Sequence, residues 1–282
     1  MLSAHEAKEK RRLATNWLPR YTGMVPSGFG KYILLTNFHS YLEEFAAGER
    51  VDIQGVGKPM QAATSNGVTM VNFGIGAPNA ALICDLLAVV PDIRALVFLG
   101  KCGGLQDLES NGRTIAIGDY ILPTAAIRGE GTSDSYYPKE VPALPSFQVQ
   151  LNISPFVLAH DKNCHAGMVY STNRRLWEHD GSFRSYLQEL RCVGIDMETA
   201  AFYTAAFANH IPHGALLLVS DMPLIEAKTQ ASDAVVTSQH AMTHLTIGME
   251  AIRSMEQKGE SLRYLSFKKH ETPTCNADLP SV

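Results

Sequence analysis

Two carboxylates stand where apolar runs end. Glu198 closes "CVGIDME" (192–198) and heads the apolar stretch "TAAFYTAAFA", and Asp221 closes "GALLLVSD" (214–221) ahead of Met222-Pro223. A carboxylate is rarely buried without a partner, so each of them caps, pairs or meets a ligand. Taken singly, Glu198 reads as an acid set against a helix N-terminal dipole, and Asp221 as a turn residue before proline. Asp196, two residues before Glu198, reads as a cap or a structural partner. A third stretch, "GKCGG" (100–104), sets Lys101 among glycines directly after the apolar run "ALVFLG". It is either a tight turn with Lys101 in solvent or an anion cradle of backbone N–H groups plus an ammonium. Two acids at strand ends beside such a cradle form a candidate catalytic site.

The elements that must position these residues alternate between strand and helix patterns. Strand-like runs occur at 31–38, 67–76, 95–100, 118–127, 166–172, 192–198 and 214–221. Helical patterns follow several of them: "HSYLEEFAA", "PNAALICDLLAVV", the apolar segment after Glu198, and a long stretch at 232–257. Such alternation predicts an α/β domain around a mixed or largely parallel sheet covered on both faces. In open α/β sheets ligands bind beyond the carboxyl ends of the strands. Gly74, Gly76, Lys101, Cys102, Gly103, Gly104, Thr172, Asn173, Glu198, Ser220 and Asp221 fall there and form the expected rim. Three segments follow: an N-terminal extension (1–30), a catalytic domain (31–257) and a polar, proline-bearing C-terminal tail (258–282).

Composition narrows the function classes. A formal net charge of −4 with one basic cluster, "KEKRR" (8–12), argues against a nucleic-acid face and reads as a solvated helix face. Five cysteines without a CxxC pair suit a reduced, intracellular setting, with neither a disulfide framework nor a zinc site. The start has no signal-peptide core and no run is long enough to span a bilayer, so a cytoplasmic protein is expected. "GIGAPNAA" is superficially like a dinucleotide fingerprint, but it lacks the third glycine and carries Pro78 at the turn. Its glycines fit a close backbone approach instead. Ten histidines show no metal-ligand spacing and no GxSxG elbow occurs. Neither a metal nor a cofactor is expected.

"GIDMETAAF", "LLLVSDMP", "GIGAPNAALICDLL" and "RGEGTSDSYYP" resemble the signatures of the nucleoside phosphorylase and nucleosidase superfamily, over roughly residues 30–257. "RYTG" (20–23), "LGKCGGL", "STNRRLWE" (171–178) and the terminal "LRYLSF" are most similar to the branch that hydrolyses AMP to adenine and ribose 5-phosphate. The resemblance implies a nucleoside phosphorylase-like single domain, a twisted mixed sheet partly closed as a barrel and surrounded by helices. It implies a homo-oligomer built from dimers, often a hexamer, with "EGTSDSYY" near a subunit neighbour. It places Met197 and Glu198 at the ribose hydroxyls, Ser220 and Asp221 at the purine with Asp221 protonating N7, and Thr172, Asn173 and Arg175 at the base pocket. Lys101 and Arg175, with Arg174 or Arg128, become candidates for the 5′-phosphate.

Departures from the family pattern bear on the nucleophile. Phosphorylases resembling this chain carry "GDPxR" after the first strand, and its Gly and Arg grip inorganic phosphate. Here Asn37 and Tyr41 stand at those places. A second arginine of that pattern is replaced by Phe98, and the hydroxyl residue after the glycine by Lys101. Two guanidinium grips are lost, so water is the expected nucleophile. The alternatives are a phosphate-dependent purine nucleoside phosphorylase and a non-catalytic purine-nucleotide sensor. Longer members of the AMP-hydrolysing branch carry an additional N-terminal regulatory domain, which is not expected here.

Overall fold

The computed structural model describes residues 3–105, 114–225, 230–259 and 262. Its organising strand is β4 (Ala95–Gly104), every residue of which is buried. β4 pairs in parallel with β1 (Tyr32–Thr36) along Ala95–Leu99 and, on its other edge, with β8 (His213–Asp221) along Leu96–Gly103. Where β1 ends, β7 (Gly194–Asp196) takes over the first edge, antiparallel at Gly103 and Gly104. β6 (Cys164–Thr172) and β5 (Tyr120–Gly129) continue from β7, and β5 meets β8. The strands β4, β7, β6, β5 and β8 therefore close on themselves as a barrel. β1, then β3 (Val68–Asn72) and β2 (Ala62–Ser65), extend the sheet outward from β4. β2 and β3 form a hairpin through Asn66-Gly67, both at positive φ, as a tight Asn-Gly turn requires.

Helices cover the sheet in two layers with two cores. On one side α3 (Ala77–Leu87) packs on α6 (Thr199–Ala208), and α1 (Ala4–Thr22) lies on α3. On the other side α2 (His39–Glu49) and α4 (Phe147–Ala159) pack on α7 (Gln230–Lys258). α6 buries nearly its whole length, including Phe202 and Tyr203, the pattern of a helix walled in by protein. α5 (Gly181–Glu189) covers a small third cluster with Trp177, Tyr170 and Ile195. The expected twisted mixed sheet, partly closed as a barrel and surrounded by helices, is the fold that forms.

α1 falls inside the expected N-terminal extension. Ser3 and Glu6 form a reciprocal capping box at its start, and Gly23 in the left-handed region ends it. Of the expected tail, only Lys258, Gly259 and Leu262 are described. The remaining tail residues, including most of "LRYLSF" and Cys275, lie outside the described residues. No helix among the described residues is long and apolar enough to cross a membrane.

Candidate active site

Gly103 is the hinge of the site's geometry. It pairs with Ile195 of β7 on one edge and with Asp221 of β8 on the other. A Cβ at this position would come within 2.8 Å of Pro223 and 3.2 Å of Ile195, so only glycine lets both neighbours approach. The consequence is that Glu198, three residues past Ile195, and Asp221 flank the same strand end. Between Leu99 and Gly103 that edge of β4 lies between β1 and β7, and a cavity of about 360 Å³ opens there. Lys101, Cys102, Gly103, Thr172, Arg175, Met197, Glu198, Ser220 and Asp221 line it. A larger depression of about 660 Å³ beside Gly23, Arg50 and Asp52 lies away from these strand ends.

Glu198 is buried and held by backbone donors. Gly76 N–H donates to its Oε1 at 2.7 Å and Met197 N–H to its Oε2 at 3.2 Å. Gly76 sits at φ +100°, a conformation open to glycine. It does not line the cavity and touches the site through Glu198. Burial and the negative charge of Asp196 push Glu198 up to about 7, against hydrogen bonds from Gly76, Met197 and the Asn37 side chain. Burial also pushes Asp196 up. Its Oδ1 accepts from Ser171 Oγ at 2.6 Å, and its Oδ2 from Thr199 N at 2.8 Å and Thr199 Oγ1 at 2.5 Å. Asp196 thus ties β6 to the first turn of α6, and Glu198 is left facing the cavity.

On the opposite flank the Ser220 hydroxyl lies 2.6 Å from Asp221 Oδ1 and 3.3 Å from the Cys102 carbonyl. Its single proton serves the shorter contact and orients one carboxylate oxygen. "GKCGG" is neither a tight turn nor a backbone cradle, because β4 runs through it to Gly104. Successive N–H groups of an extended strand point to opposite edges and do not converge on one anion. The cation of the pair of readings does reach the site. Lys101 is buried, lines the cavity and sets its Nζ 4.3 Å from the centroid of the Phe38 ring.

The arginines divide. Arg174 and Arg175 line the mouth, about half exposed, in ion pairs with Asp180 at 3.0 Å and Glu178 at 3.4 Å. Arg128 does not reach the cavity. Its guanidinium donates to Ser133 Oγ, Asp134 Oδ1 and the carbonyls of Pro138, Val141 and Tyr137. Those five acceptors use all five of its N–H groups, so Arg128 organises its own loop and is withdrawn as a phosphate ligand. Asn173 is exposed beyond the end of β6 and is not part of the lining.

The apolar part of the cavity was not foreseen from sequence. Phe38, Ile75, Trp177, Ile195 and Pro223 contribute walls, and Asn37 and Glu178 add polar groups. Trp177 stands 5.5 Å from Phe183 in a T-shaped pair. Its place in "STNRRLWE", two residues past Arg175 of the base-pocket segment, is the signal that could have pointed to it.

A barrel extended by a flanking sheet, with a buried acid and a half-buried one flanking one strand end, defines a class, and the chain belongs to it: residues 41–251 match the phosphorylase superfamily model. Within that class the chain is similar to the AMP nucleosidase of Bacteroides thetaiotaomicron, whose crystal structure superposes with a TM-score of 0.77 at 45% identity. That match covers 88% of this chain and 99% of the other. It is also 29% identical to the AMP nucleosidase of Escherichia coli K12 over 91% of its own length. The chain spans 61% of the length of that curated relative. A uridine phosphorylase structure from Vibrio fischeri, at 19% identity and a TM-score of 0.70, shares the fold.

Proposed function

We propose that this chain hydrolyses the N-glycosidic bond of AMP, giving adenine and ribose 5-phosphate. The observation that carries the reading is the convergence of Glu198, Asp221 and Lys101 on one cavity. Adenine leaves poorly as an anion, so the C1′–N9 bond needs a proton at N7 as it stretches. Asp221, with one oxygen oriented by Ser220, is the general acid, a role worth ~10²–10⁴ in rate. Glu198 accepts hydrogen bonds from the ribose hydroxyls beside Met197 and stabilises the oxocarbenium-like sugar as positive charge develops. Water attacks C1′, and the proton it loses replaces the one that Asp221 delivered.

The ribose 5-phosphate end lies with the cations. Lys101 supplies a point charge from the floor, and Arg175 or Arg174 reaches in from the mouth by exchanging its carboxylate partner for phosphate. Thr172 belongs to the base end of the cavity. Phosphorolysis is disfavoured by what occupies the guanidinium positions of the related phosphorylases. Phe98 is packed between Phe73 and Phe202, and Tyr41 is buried against His244. The functional unit is proposed to be a homo-oligomer in the cytoplasm, with no metal or cofactor in the reaction.

Incubation with AMP, with and without inorganic phosphate, tests the reading. The expected products without phosphate are adenine and ribose 5-phosphate. A strict need for phosphate with release of a sugar 1-phosphate would replace hydrolysis by phosphorolysis, and AMP binding without turnover would leave a sensor. Asp221→Asn is expected to retain AMP binding and lose at least ~10²-fold in kcat. Near-normal turnover of this variant would remove Asp221 as the acid.

A further inference from the structure

Beneath the cavity floor a buried hydrogen-bonded chain joins three elements. His244 of α7 places Nε2 3.0 Å from the Leu216 carbonyl of β8 and Nδ1 3.0 Å from the Tyr41 hydroxyl of α2. A carbonyl only accepts, so Nε2 carries the proton. The neutral ring therefore accepts at Nδ1, and the Tyr41 O–H donates to it. His244 is fully buried and pushed down to about 3, by burial first and also by the charge of Lys101. The imidazole therefore stays neutral with one tautomer, and the direction of the chain is fixed.

That chain ends at the residues that hold the floor cation. Tyr41 lies in the first turn of α2, and its N–H donates to the Phe38 carbonyl. The Tyr41 and Phe38 rings are 5.8 Å apart, and the free face of Phe38 carries Lys101 Nζ at 4.3 Å. Phe38 caps α2 with no side-chain hydrogen bond, so this turn lacks the usual polar anchor at its start. The Tyr41–His244 bond supplies an anchor one turn later, to a helix and a barrel strand.

We propose that Tyr41 and His244 are positioning residues for Lys101, tying the start of α2 to α7 and β8 and so fixing the aromatic face on which the ammonium rests. Lysine has a flexible four-carbon stem, and a point charge grips one anion well only if it is held in place. The effect on substrate rests on the nucleotide reading of the cavity, and the effect on Lys101 itself does not.

Tyr41→Phe deletes the donor and keeps the ring. With cyanate as a small probe and peptide mass spectrometry as the readout, carbamoylation of Lys101 is expected to rise several-fold, while exposed Lys58 reacts as before. Phe38→Leu, which removes the ring face and spares the hydroxyl, is expected to raise it likewise. For AMP cleavage, Tyr41→Phe is expected to raise KM about tenfold with kcat within about twofold. In a Lys101→Met background the same substitution is expected to leave KM unchanged. Unchanged Lys101 labelling, with only a lower melting temperature, would overturn the proposal, as would an equal KM rise in both backgrounds. A wild-type protein that does not cleave AMP removes the nucleotide reading, and the labelling still decides the tether.

Discussion

Glu198 shows how a single side chain trades stability for a site. Its folded value of about 7 stands above the ordinary 4.5 because burial and Asp196 disfavour the charged form. A carboxyl raised in this way holds its proton more tightly when folded. Its contribution to stability is fully present below 4.5 and is lost as pH rises through about 7. Glu198→Gln removes the charge and keeps the shape. The stability of this variant relative to wild type is therefore expected to grow from about pH 5 to about pH 8 in urea titrations. A difference that stayed flat or shrank would show that the carboxylate is not strained by its surroundings. At this scale the sequence was informative for residues that end apolar runs. Glu198 and Asp221 stood out because an acid after such a run needs a reason. Asp196 was separable from Glu198 only in its bland role as a cap, which Ser171 and Thr199 now fill with partners.

At the scale of elements, strands were legible and their neighbours were not. Buried runs such as "ALVFLG" and "GALLLVSD" mark themselves by composition, whereas the handover from β1 to β7 along one edge of β4 depends on contacts distant in sequence. Asn37 and Trp177 lie in stretches that the sequence singles out, but that they and Phe38 meet around one cavity depends on such distant contacts. β2 was too short to register, and α4 carries Pro155 within an apolar stretch, where the expectation is a break. Arg128 misled for a related reason. An arginine in a Gly-rich polar loop looks like a spare cation, yet it is the loop's own scaffold, with a side chain only 5% exposed. Arg128→Lys cannot reproduce five divergent donors. It is expected to cost roughly 2 kcal/mol or more by leaving carbonyls unpaired, read as a lower denaturation midpoint. Its KM for AMP should follow wild type. A stable variant with a raised KM would return Arg128 to the substrate site.

For the whole molecule, the open question is whether the first helix is an appendage or a part of the core that carries Glu198. Leu18 of α1 is fully buried in the same cluster as Ala80, Cys84 and Phe202. Lys10 reaches Asp85 of α3 at 2.6 Å and Asn209 beyond the end of α6 at 3.1 Å, and Tyr136 donates to the other oxygen of Asp85 at 2.8 Å. α1 therefore braces α3 and α6, and Glu198 is the residue from which α6 starts. The polar part of this brace is partly exposed, so Lys10→Ala is expected to cost no more than about 1 kcal/mol. The apolar part has no such discount. Leu18→Ala leaves a cavity among residues that cannot readily collapse, and is expected to cost ~2–5 kcal/mol. If α1 is integral, urea unfolding of Leu18→Ala should remain one cooperative transition with a lower midpoint and an unchanged slope. An early separate transition, with the main one left where it stands in wild type, would show that α1 folds apart from the body of the protein. Adenine release measured across the same titration ties the outcome to function. In an integral molecule activity falls with the single transition, because the helix that starts at Glu198 loses its support with the rest.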